Sequence, residues 1–549
     1  MKKTTSIILI VIIVLTIIKF LLSYFTGPTV FTDEYIYTKM AQSFYDNLNF
    51  NIHGMNIAPY PPLYPILLSV SFMFKNLFYS YVFMKLINAI ISTLIIIPAY
   101  LIAREFLDEK KSLFISIIIA ILPMNFSFSS YIMSENIFYT LYLTSIYLIY
   151  KSFTSEKIRY CILAGIAIGL TILTKFLGAS LCLIVLFLFL FYLFNKKSYL
   201  KQSIIIALII LFILSPFIIN NGIKYGFTLP GIIGEYSKEA QESHPTFSII
   251  NLLLWIIVYI VYLILSSGFF LTFLNLSWKQ IKENKNYKIL FFIAIFTFLI
   301  IIYGAANHAA KSPFKELALY GLTGRPIGRY IDTALPILLI FSIITFFKKA
   351  DSDNLRKQIL WIIPLIFSFI LFYFSLFPVN NMSLTLYGIL NEIIKNLAYS
   401  KFILVLITIL IFLIIKILYR KQILTTKHIL IIITLFFITT SIASYAVGYY
   451  NYKTNWENNP QLKLSKWISH NIPIDKTIVI DEEYCGIVNK ENINNICSLG
   501  KSTALTGFWI RNNIIIGNKM TKGDYLITLS KLNKEQIKKT ENEIYLYKI

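Results

Sequence analysis

The sequence has few charged residues for its length. Only 14% of its 549 residues are Asp, Glu, Lys or Arg, and 57% are hydrophobic, whereas soluble domains carry about 25% charged residues. This shortage excludes a soluble globular protein. Acidic residues are scarcer than basic ones, 27 against 50, which gives a formal net charge of +23. The basic residues lie mostly between hydrophobic segments and in the C-terminal region, so we attribute them to membrane topology and expect no nucleic-acid partner.

Cysteine and histidine are also scarce, with four and five residues. Cys161 and Cys182 fall in hydrophobic segments, where we expect them to pack as apolar side chains. Cys485 and Cys497 fall in the polar C-terminal region and form either a disulfide or two free thiols. No Cys/His set has the spacing of a zinc site. The sequence therefore predicts no resident metal.

Long hydrophobic segments dominate the first 449 residues and predict an all-α polytopic membrane protein with about 13 transmembrane helices. The first segment follows Lys2-Lys3 and has no clear cleavage site after it, so we interpret it as an uncleaved span with a cytoplasmic N-terminus. The predicted spans are 5–24, 81–103, 112–130, 132–150, 160–174, 176–194, 203–220, 249–275, 289–304, 329–347, 358–376, 400–419 and 428–449.

The charge of the connections supports this topology. Every second connection is short and rich in Lys and Arg, as the positive-inside rule requires of cytoplasmic loops. The residues 63–79 form either an interfacial helix, which keeps this agreement, or an extra span, which reverses the later orientation. The regions predicted to lie outside the cytoplasm are 25–80, 221–248, 305–328 and 450–549.

Residues 450–549 differ in character from the rest, being polar and rich in asparagine. The segment from Leu462 to Asn471 predicts a helix, and 477–480, 525–528 and 544–547 predict strands. We therefore divide the chain into a transmembrane domain, 1–449, and a small extracytoplasmic α/β domain, 450–549. No strand-to-helix glycine fingerprint for a nucleotide occurs in the second domain.

An acidic pair, Asp33-Glu34, follows the first span at the predicted membrane surface, with Tyr37 and Ala41 at helical spacing after it. A carboxylate at this depth has to be solvated or bind a partner, and the alternatives to a catalytic role are a solvated loop or a helix cap. The aromatic turn Tyr60-Pro61-Pro62-Leu63-Tyr64 occurs in the same loop.

Together these two motifs resemble the first external loop of protein O-mannosyltransferases and of the lipid A aminoarabinose transferases. Both are glycosyltransferases of the GT-C fold that take a sugar from a polyprenyl-phosphate carrier, and the resemblance extends over roughly residues 1–190. It implies that Asp33 is the catalytic base and Glu34 its orienting neighbour. We expect Tyr37, Tyr60 and Tyr64 to contact substrate.

The resemblance also suggests partners for the donor phosphate and sugar. Lys85 stands where relatives carry a basic residue in the second span, although Arg is more usual there. Glu135 opens the fourth span, where a carboxylate is costly unless it is paired or hydrated. Lys175 lies between two spans and either contacts the donor phosphate or reaches lipid headgroups. We place Glu135 among the substrate contacts and both lysines among the phosphate ligands.

A later motif, Gly324-Arg325-Pro326-Ile327-Gly328-Arg329-Tyr330, precedes Pro336 and resembles an Arg-Tyr motif that relatives carry at the start of a late span. We expect Arg329 to be the main phosphate ligand, Arg325 a weaker one and Tyr330 a substrate contact. The Trp-Trp-Asp signature of oligosaccharyltransferases is absent from the sequence, which argues against transfer of a whole glycan to asparagine.

The chemistry of such a donor limits what the protein must supply. The leaving group is a phosphate monoester, which needs no protonation, so one carboxylate acting on the acceptor hydroxyl is sufficient. We therefore predict a glycosyltransferase that moves one sugar to an extracytoplasmic acceptor with inversion and without a cofactor, although a divalent ion near Asp33 and Glu135 stays open. The other interpretations are a transporter or flippase of lipid-linked sugars, and a scaffold that displays the C-terminal domain.

Overall fold

The structure of the protein is a computed structural model. It describes every residue except 1, 30–31, 56–58, 75, 156, 193–196, 235–248, 274–277, 312–326, 349–381, 395, 397–399, 482–500, 518–520 and 541–543. The predicted span 358–376, Arg325, Cys485 and Cys497 lie outside the described residues.

The described residues are mostly helical, because long runs of Ile, Leu and Phe satisfy their backbone groups within each helix. The α-helices are Lys2–Tyr24, Thr32–Asn47, Leu63–Ser69, Leu77–Thr93, Ile96–Arg104, Glu109–Ala120, Pro123–Ser127, Glu135–Ser155, Ile158–Thr174, Ser180–Tyr192, Lys197–Tyr225, Leu229–Ile233, Ile249–Ser266, Trp278–Glu283, Lys285–Lys311, Gly328–Ile331, Leu335–Phe347, Thr385–Ile394, Ser400–Arg420, Thr426–Asn451, Pro460–Asn471 and Lys501–Gly507. Short 3₁₀ turns are Val70–Met73, Phe128–Ser130, Phe176–Ala179, Phe270–Phe273, Asp332–Ala334 and Met382–Leu384, and Tyr452–Trp456 is a π-helical turn.

Several of these helices can cross a bilayer, so the chain is a multi-pass membrane protein. Within the described ranges, seven helices are long and apolar enough to span, and an eighth span results if one bent pair is counted together. The bend of 58° in that pair falls within the predicted span 112–130, where Pro123 begins a new helix after Ala120. The number thirteen and the orientation of the termini stay predictions. The seven are Thr4–Tyr24, Leu77–Arg104, Tyr199–Tyr225, Ile249–Ser266, Lys285–Ala310, Gly328–Phe347 and Thr426–Trp456.

Small residues let two of the helices approach closely. A Cβ on Gly165 would lie 2.6 Å from Ile209 Cβ, and one on Gly169 would lie 2.7 Å from a methyl of Ile213. The two glycines are four residues apart and therefore share one face of the Ile158–Thr174 helix. This contact fixes that helix against Lys197–Tyr225.

The first predicted external loop is helical. Thr32–Asn47, called the motif helix below, carries the Asp-Glu pair in its first turn, where negative charge is favourable next to the unpaired N–H groups. The interfacial helix predicted at 63–79 is shorter than expected. It ends at Met73, and a new helix starts at Leu77 because the side chain of Asn76 caps it by accepting a hydrogen bond from the Phe78 amide.

The C-terminal region contains the predicted α/β fold. Five strands form a mixed sheet, β1 Ile478–Asp481, β2 Ile514–Gly517, β3 Tyr525–Thr528, β4 Gln536–Lys539 and β5 Tyr545–Lys548, in the order β2-β1-β3-β5-β4. The strand β1 is parallel to β2 and β3, whereas β5 is antiparallel to β3 and β4. The sequence did not predict β2 or β4. The boundary predicted at residue 450 falls within the helix Thr426–Asn451.

The C-terminal domain packs on the motif helix. The buried amine of Lys39 donates to the carbonyl of Ile510 (Nζ–O 2.5 Å), and Gln42 Nε2 donates to the carbonyl of Arg511 at 3.2 Å. Arg511 also forms an ion pair with Asp46, with Nη2–Oδ1 3.2 Å. These contacts join residues more than 460 positions apart. The motif helix is therefore held from one side by the last hundred residues.

Candidate active site

The two acidic residues of the motif helix face different surroundings. Successive residues of an α-helix point about 100° apart, and here Asp33 is partly exposed while Glu34 is fully buried. The two residues are adjacent in sequence, but the helix directs their side chains to different partners.

Asp33 contacts Arg329 from a distant part of the chain. The distance from Arg329 Nη1 to Asp33 Oδ2 is 2.6 Å, and the side chains are 32% and 27% exposed, respectively. Arg329 lies at the start of the short helix Gly328–Ile331, and its carbonyl accepts a hydrogen bond from the Tyr139 hydroxyl at 3.1 Å. The predicted base and the predicted main phosphate ligand are therefore adjacent and accessible.

Two further ionic groups complete this site. Glu135, which is 1% exposed, forms a buried ion pair with the amine of Lys175 and lies 3.8 Å from Arg329 Nη1. The carboxylates of Asp33 and Glu135 and the cations of Arg329 and Lys175 are called the charged cluster below. Two acids balance two bases, so the charge cost of burying Glu135 and Lys175 is offset within the cluster.

Hydroxyl groups connect this cluster to the motif helix. The Tyr37 hydroxyl donates to Ser134 Oγ at 3.2 Å, and Ser134 Oγ lies 3.5 Å from Glu135 Oε2. Burial, together with the Asp33 carboxylate, raises the pKa of Tyr37 well above its usual value. Tyr37 therefore stays a neutral hydrogen-bond donor across the physiological pH range.

Aromatic rings border the cluster. The Tyr330 ring centroid is 5.0 Å from the Lys175 amine and 5.8 Å from the guanidinium carbon of Arg329. Tyr37 packs edge-on against Tyr60 and Tyr64, with ring centroids 6.4 and 5.1 Å away. Tyr60 and Tyr330 are half-buried, whereas Tyr64 is fully buried and donates to Asn88 Oδ1 at 3.0 Å.

Glu34 lies away from the charged cluster and is bound on both oxygens. Its Oε2 accepts from the amide and the hydroxyl of Thr29, both at 3.0 Å, and its Oε1 accepts from the Tyr81 hydroxyl at 2.9 Å and the Ile132 amide at 3.3 Å. A carboxylate with four donors is fixed by the protein. These contacts tie the loop after the first helix to the Leu77–Thr93 helix.

Lys85 is similarly enclosed. Its amine donates to the carbonyls of Ser23 and Thr26, the first at 2.7 Å, and to the Thr26 hydroxyl at 3.0 Å. The side chain is buried, and its charge interacts with that of Glu34. The resemblance placed Lys85 with the phosphate ligands, and that role stays a prediction. In the structure its amine contacts the end of the first helix.

A buried carboxylate near the cluster was missed by the sequence reasoning. Asp332 accepts from the Tyr262 hydroxyl at 2.8 Å and from Ser383 Oγ at 2.9 Å. The signal was an acidic residue three positions after Arg329, inside an otherwise apolar span. As for metals, no group of three or more His, Cys, Asp or Glu residues suitable as ligands occurs in the part of the chain that the structure describes.

Similarity to known proteins agrees with this architecture. Residues 60–220 match the family described as dolichyl-phosphate-mannose-protein mannosyltransferase. That match includes Glu135 and Lys175 but neither Asp33 nor Arg329. A search of curated proteins finds no significant match.

The fold resembles two crystal structures of ArnT from Cupriavidus metallidurans. The structure bound to undecaprenyl phosphate has a TM-score of 0.56 at 12% identity and covers 94% of this chain and 86% of that one. The apo structure has a TM-score of 0.54 at 12% identity, with coverage of 94% and 87%. The chain is therefore a multi-pass membrane protein with the GT-C fold. Part of its sequence is similar to the mannosyltransferase family, and its fold is similar to that of ArnT.

Proposed function

We propose that this protein transfers a single sugar from a polyprenyl phosphate to a hydroxyl of an extracytoplasmic acceptor, with inversion at the anomeric carbon. The observation that carries the proposal is the contact of 2.6 Å between Arg329 and Asp33. An inverting transfer needs a base and a phosphate ligand on opposite sides of one anomeric carbon, so the two groups have to line the same substrate site.

Asp33 is the proposed base because it is the accessible member of the Asp33-Glu34 pair and contacts Arg329. It takes the proton of the acceptor hydroxyl as that oxygen bonds to the anomeric carbon. The bond from this carbon to the phosphate oxygen breaks in the same step, and its electron pair leaves with the polyprenyl phosphate. The carboxylate needs only to be hydrogen-bonded to the acceptor when the reaction begins.

Arg329 is the proposed ligand of the leaving phosphate. A guanidinium has five N–H donors in a planar arrangement that matches two phosphate oxygens. It can bind the phosphate while it also orients Asp33. Because the phosphate gains negative charge as the bond breaks, this interaction strengthens in the transition state and accelerates the reaction.

Lys175 and Glu135 have supporting roles in this proposal. The buried ion pair places the Lys175 amine next to the Tyr330 ring and adds positive charge near the phosphate. Glu135 contacts both cations and therefore orients them. The half-buried rings of Tyr60 and Tyr330 are proposed to contact the sugar or the acceptor, while Tyr37 and Tyr64 support them from the interior.

We assign structural roles to Glu34 and Lys85. Each has its hydrogen-bonding capacity directed to protein groups around the end of the first helix. Neither needs to contact substrate for the proposed step to proceed. Their function is to hold the motif helix in the position in which Asp33 contacts Arg329.

The test is a transfer assay with purified protein and radiolabelled polyprenyl-phosphate sugars. Membranes from cells that lack this protein provide the acceptor. We expect label to appear in an acceptor fraction with wild-type protein, and Asp33→Asn to reduce the rate by about a hundredfold or more. Label that crosses the bilayer without covalent transfer would identify a flippase instead.

Asp46→Asn is a matched control, because Asp46 lies on the same motif helix but faces Arg511. It should keep most of the transfer activity. Equal losses in both variants would indicate that the helix is simply destabilised, and wild-type activity in Asp33→Asn would remove Asp33 from the mechanism.

A further inference from the structure

A second site lies away from the charged cluster, where the C-terminal domain meets the membrane domain. A cleft of about 310 Å³ is lined by residues 76–78 at the start of the Leu77–Arg104 span and by residues of the C-terminal domain within 466–474 and 509–512. This volume is at the lower end of the range for small-molecule sites. The cleft can therefore hold a compact group such as a lipid headgroup.

The polar lining of the cleft favours an anion. Lys466, His470 and Arg511 line it, and none of the described lining residues is acidic. Arg511 is paired with Asp46 on the motif helix, whereas Lys466 has no ion-pair partner among the residues that the structure describes. Its amine lies 5.6 Å from the centre of the Trp509 ring, which forms part of the same lining. Asn76 and Asn512 also line the cleft.

The apolar rim of the cleft lies at the end of a helix that is long and apolar enough to cross a membrane. Phe78 lines it from the first turn of the span Leu77–Arg104 and is 41% exposed, and the neighbouring Tyr79 is also exposed. Val70 and Met73, on the short turn that precedes this span, are exposed as well. Aromatic side chains at the end of a span are typical of the headgroup region of a bilayer.

We propose that this cleft binds the phosphate-bearing headgroup of an anionic membrane lipid. The headgroup phosphate lies against Lys466 and beside the Trp509 ring, and the acyl chains continue over Phe78 and Tyr79 into the bilayer. A lipid explains both halves of the site, because a free phosphate would use the basic wall and leave the exposed aromatic rim without a role. Such a lipid would join the C-terminal domain to the membrane.

This site is independent of the proposed transfer reaction. Its charge comes from Lys466, and none of its lining residues belongs to the charged cluster. Failure of the glycosyltransferase assay would leave the lipid site untouched, and failure of lipid binding would leave the assay untouched.

The experiment is a titration of the purified full-length chain, followed by native mass spectrometry that counts bound lipids. The probes are a phosphatidylglycerol, a phosphatidylcholine with the same acyl chains, and inorganic phosphate. A basic residue near a membrane surface contributes about 1 kcal/mol of attraction to anionic lipid, which corresponds to about a fivefold change in affinity. Lys466→Ala should therefore weaken the first phosphatidylglycerol bound by about fivefold, and Lys466→Glu by about 25-fold.

The control is Lys463→Glu, which changes the same charge on the same Pro460–Asn471 helix, but at an exposed residue outside the cleft. It should bind phosphatidylglycerol within about twofold of wild type. The proposal is overturned if both reversals weaken binding equally, or if the wild-type chain binds the two lipids equally well. Displacement of the lipid by inorganic phosphate at equal concentration would also overturn it, because the rim would then contribute nothing.

Discussion

Replacing Arg329 gives the strictest test of the proposed chemistry. Its guanidinium contacts Asp33 at 2.6 Å and approaches Glu135 at 3.8 Å. Loss of one preorganised donor to a developing oxyanion typically costs 10²–10³ in turnover, or about 3–4 kcal/mol of barrier. Arg329→Ala should reduce kcat by roughly this factor. Arg329→Lys keeps the charge but loses the two-pronged geometry, so we expect a loss of about tenfold.

The fold should survive both substitutions. Asp33 is 27% exposed and can be hydrated when its partner is removed. Glu135 keeps its buried ion pair with Lys175. The melting temperatures of both variants should therefore stay close to that of the wild type. A large drop in melting temperature would mean that the activity is lost because the protein is destabilised. Arg159→Ala is a control, since that arginine is exposed and packs over the Tyr160 ring.

Initial rates over a range of donor concentrations separate binding from catalysis. A phosphate ligand that acts in the transition state lowers kcat as well as donor affinity. The double variant Asp33→Asn, Arg329→Ala should be little worse than the poorer single variant, because both groups serve one step. Unchanged kinetics in Arg329→Ala, or Lys substituting fully for Arg, would refute the assignment.

Two other predictions follow from the packing and the topology. Glu34→Gln places an amide donor among four hydrogen-bond donors and removes the negative charge that faces Lys85. We therefore expect the free energy of unfolding to fall by about 3–5 kcal/mol, with a clear drop in melting temperature. The control is Glu457→Gln, at an exposed position, which should keep the wild-type melting temperature. A normal melting temperature would contradict this. Cysteine at Lys224 should react with an impermeant thiol reagent on intact cells while cysteine at Lys201 should not, and the reverse pattern would overturn the predicted orientation.

The sequence predicted which charged and aromatic residues belong to the candidate site, because each of them stands in a recognisable motif. Asp33, Glu135, Lys175, Arg329 and Tyr330 were all selected from motifs, and the structure brings them together. The ion pair between Glu135 and Lys175 was not predicted. Glu135 begins one helix and Lys175 follows the end of another, and only the packing of the two helices shows that the side chains meet. Which residues react stays a prediction until variants are assayed.

Helix rotation limited the prediction elsewhere. The resemblance assigned Glu34 to orient Asp33 and Lys85 to bind the donor phosphate, because a sequence motif does not show which groups each side chain contacts. Their neighbours Thr29, Tyr81 and Ile132 are ordinary residues in sequence and become hydrogen-bond donors only through packing. The two strands that the sequence did not predict, β2 and β4, form the edges of the sheet, and β4 is largely exposed and has the polar sequence Gln-Ile-Lys-Lys.

The packing of the C-terminal domain on the motif helix has a consequence for biosynthesis. Lys39 bonds to Ile510, which is 471 residues later in the chain. At about 5–20 residues per second, a ribosome needs roughly 25–95 s to make the intervening segment. During that interval the motif helix is already at the membrane, but the surface that covers Lys39 does not yet exist. The candidate active site therefore reaches its final form only after Ile510 has been translated.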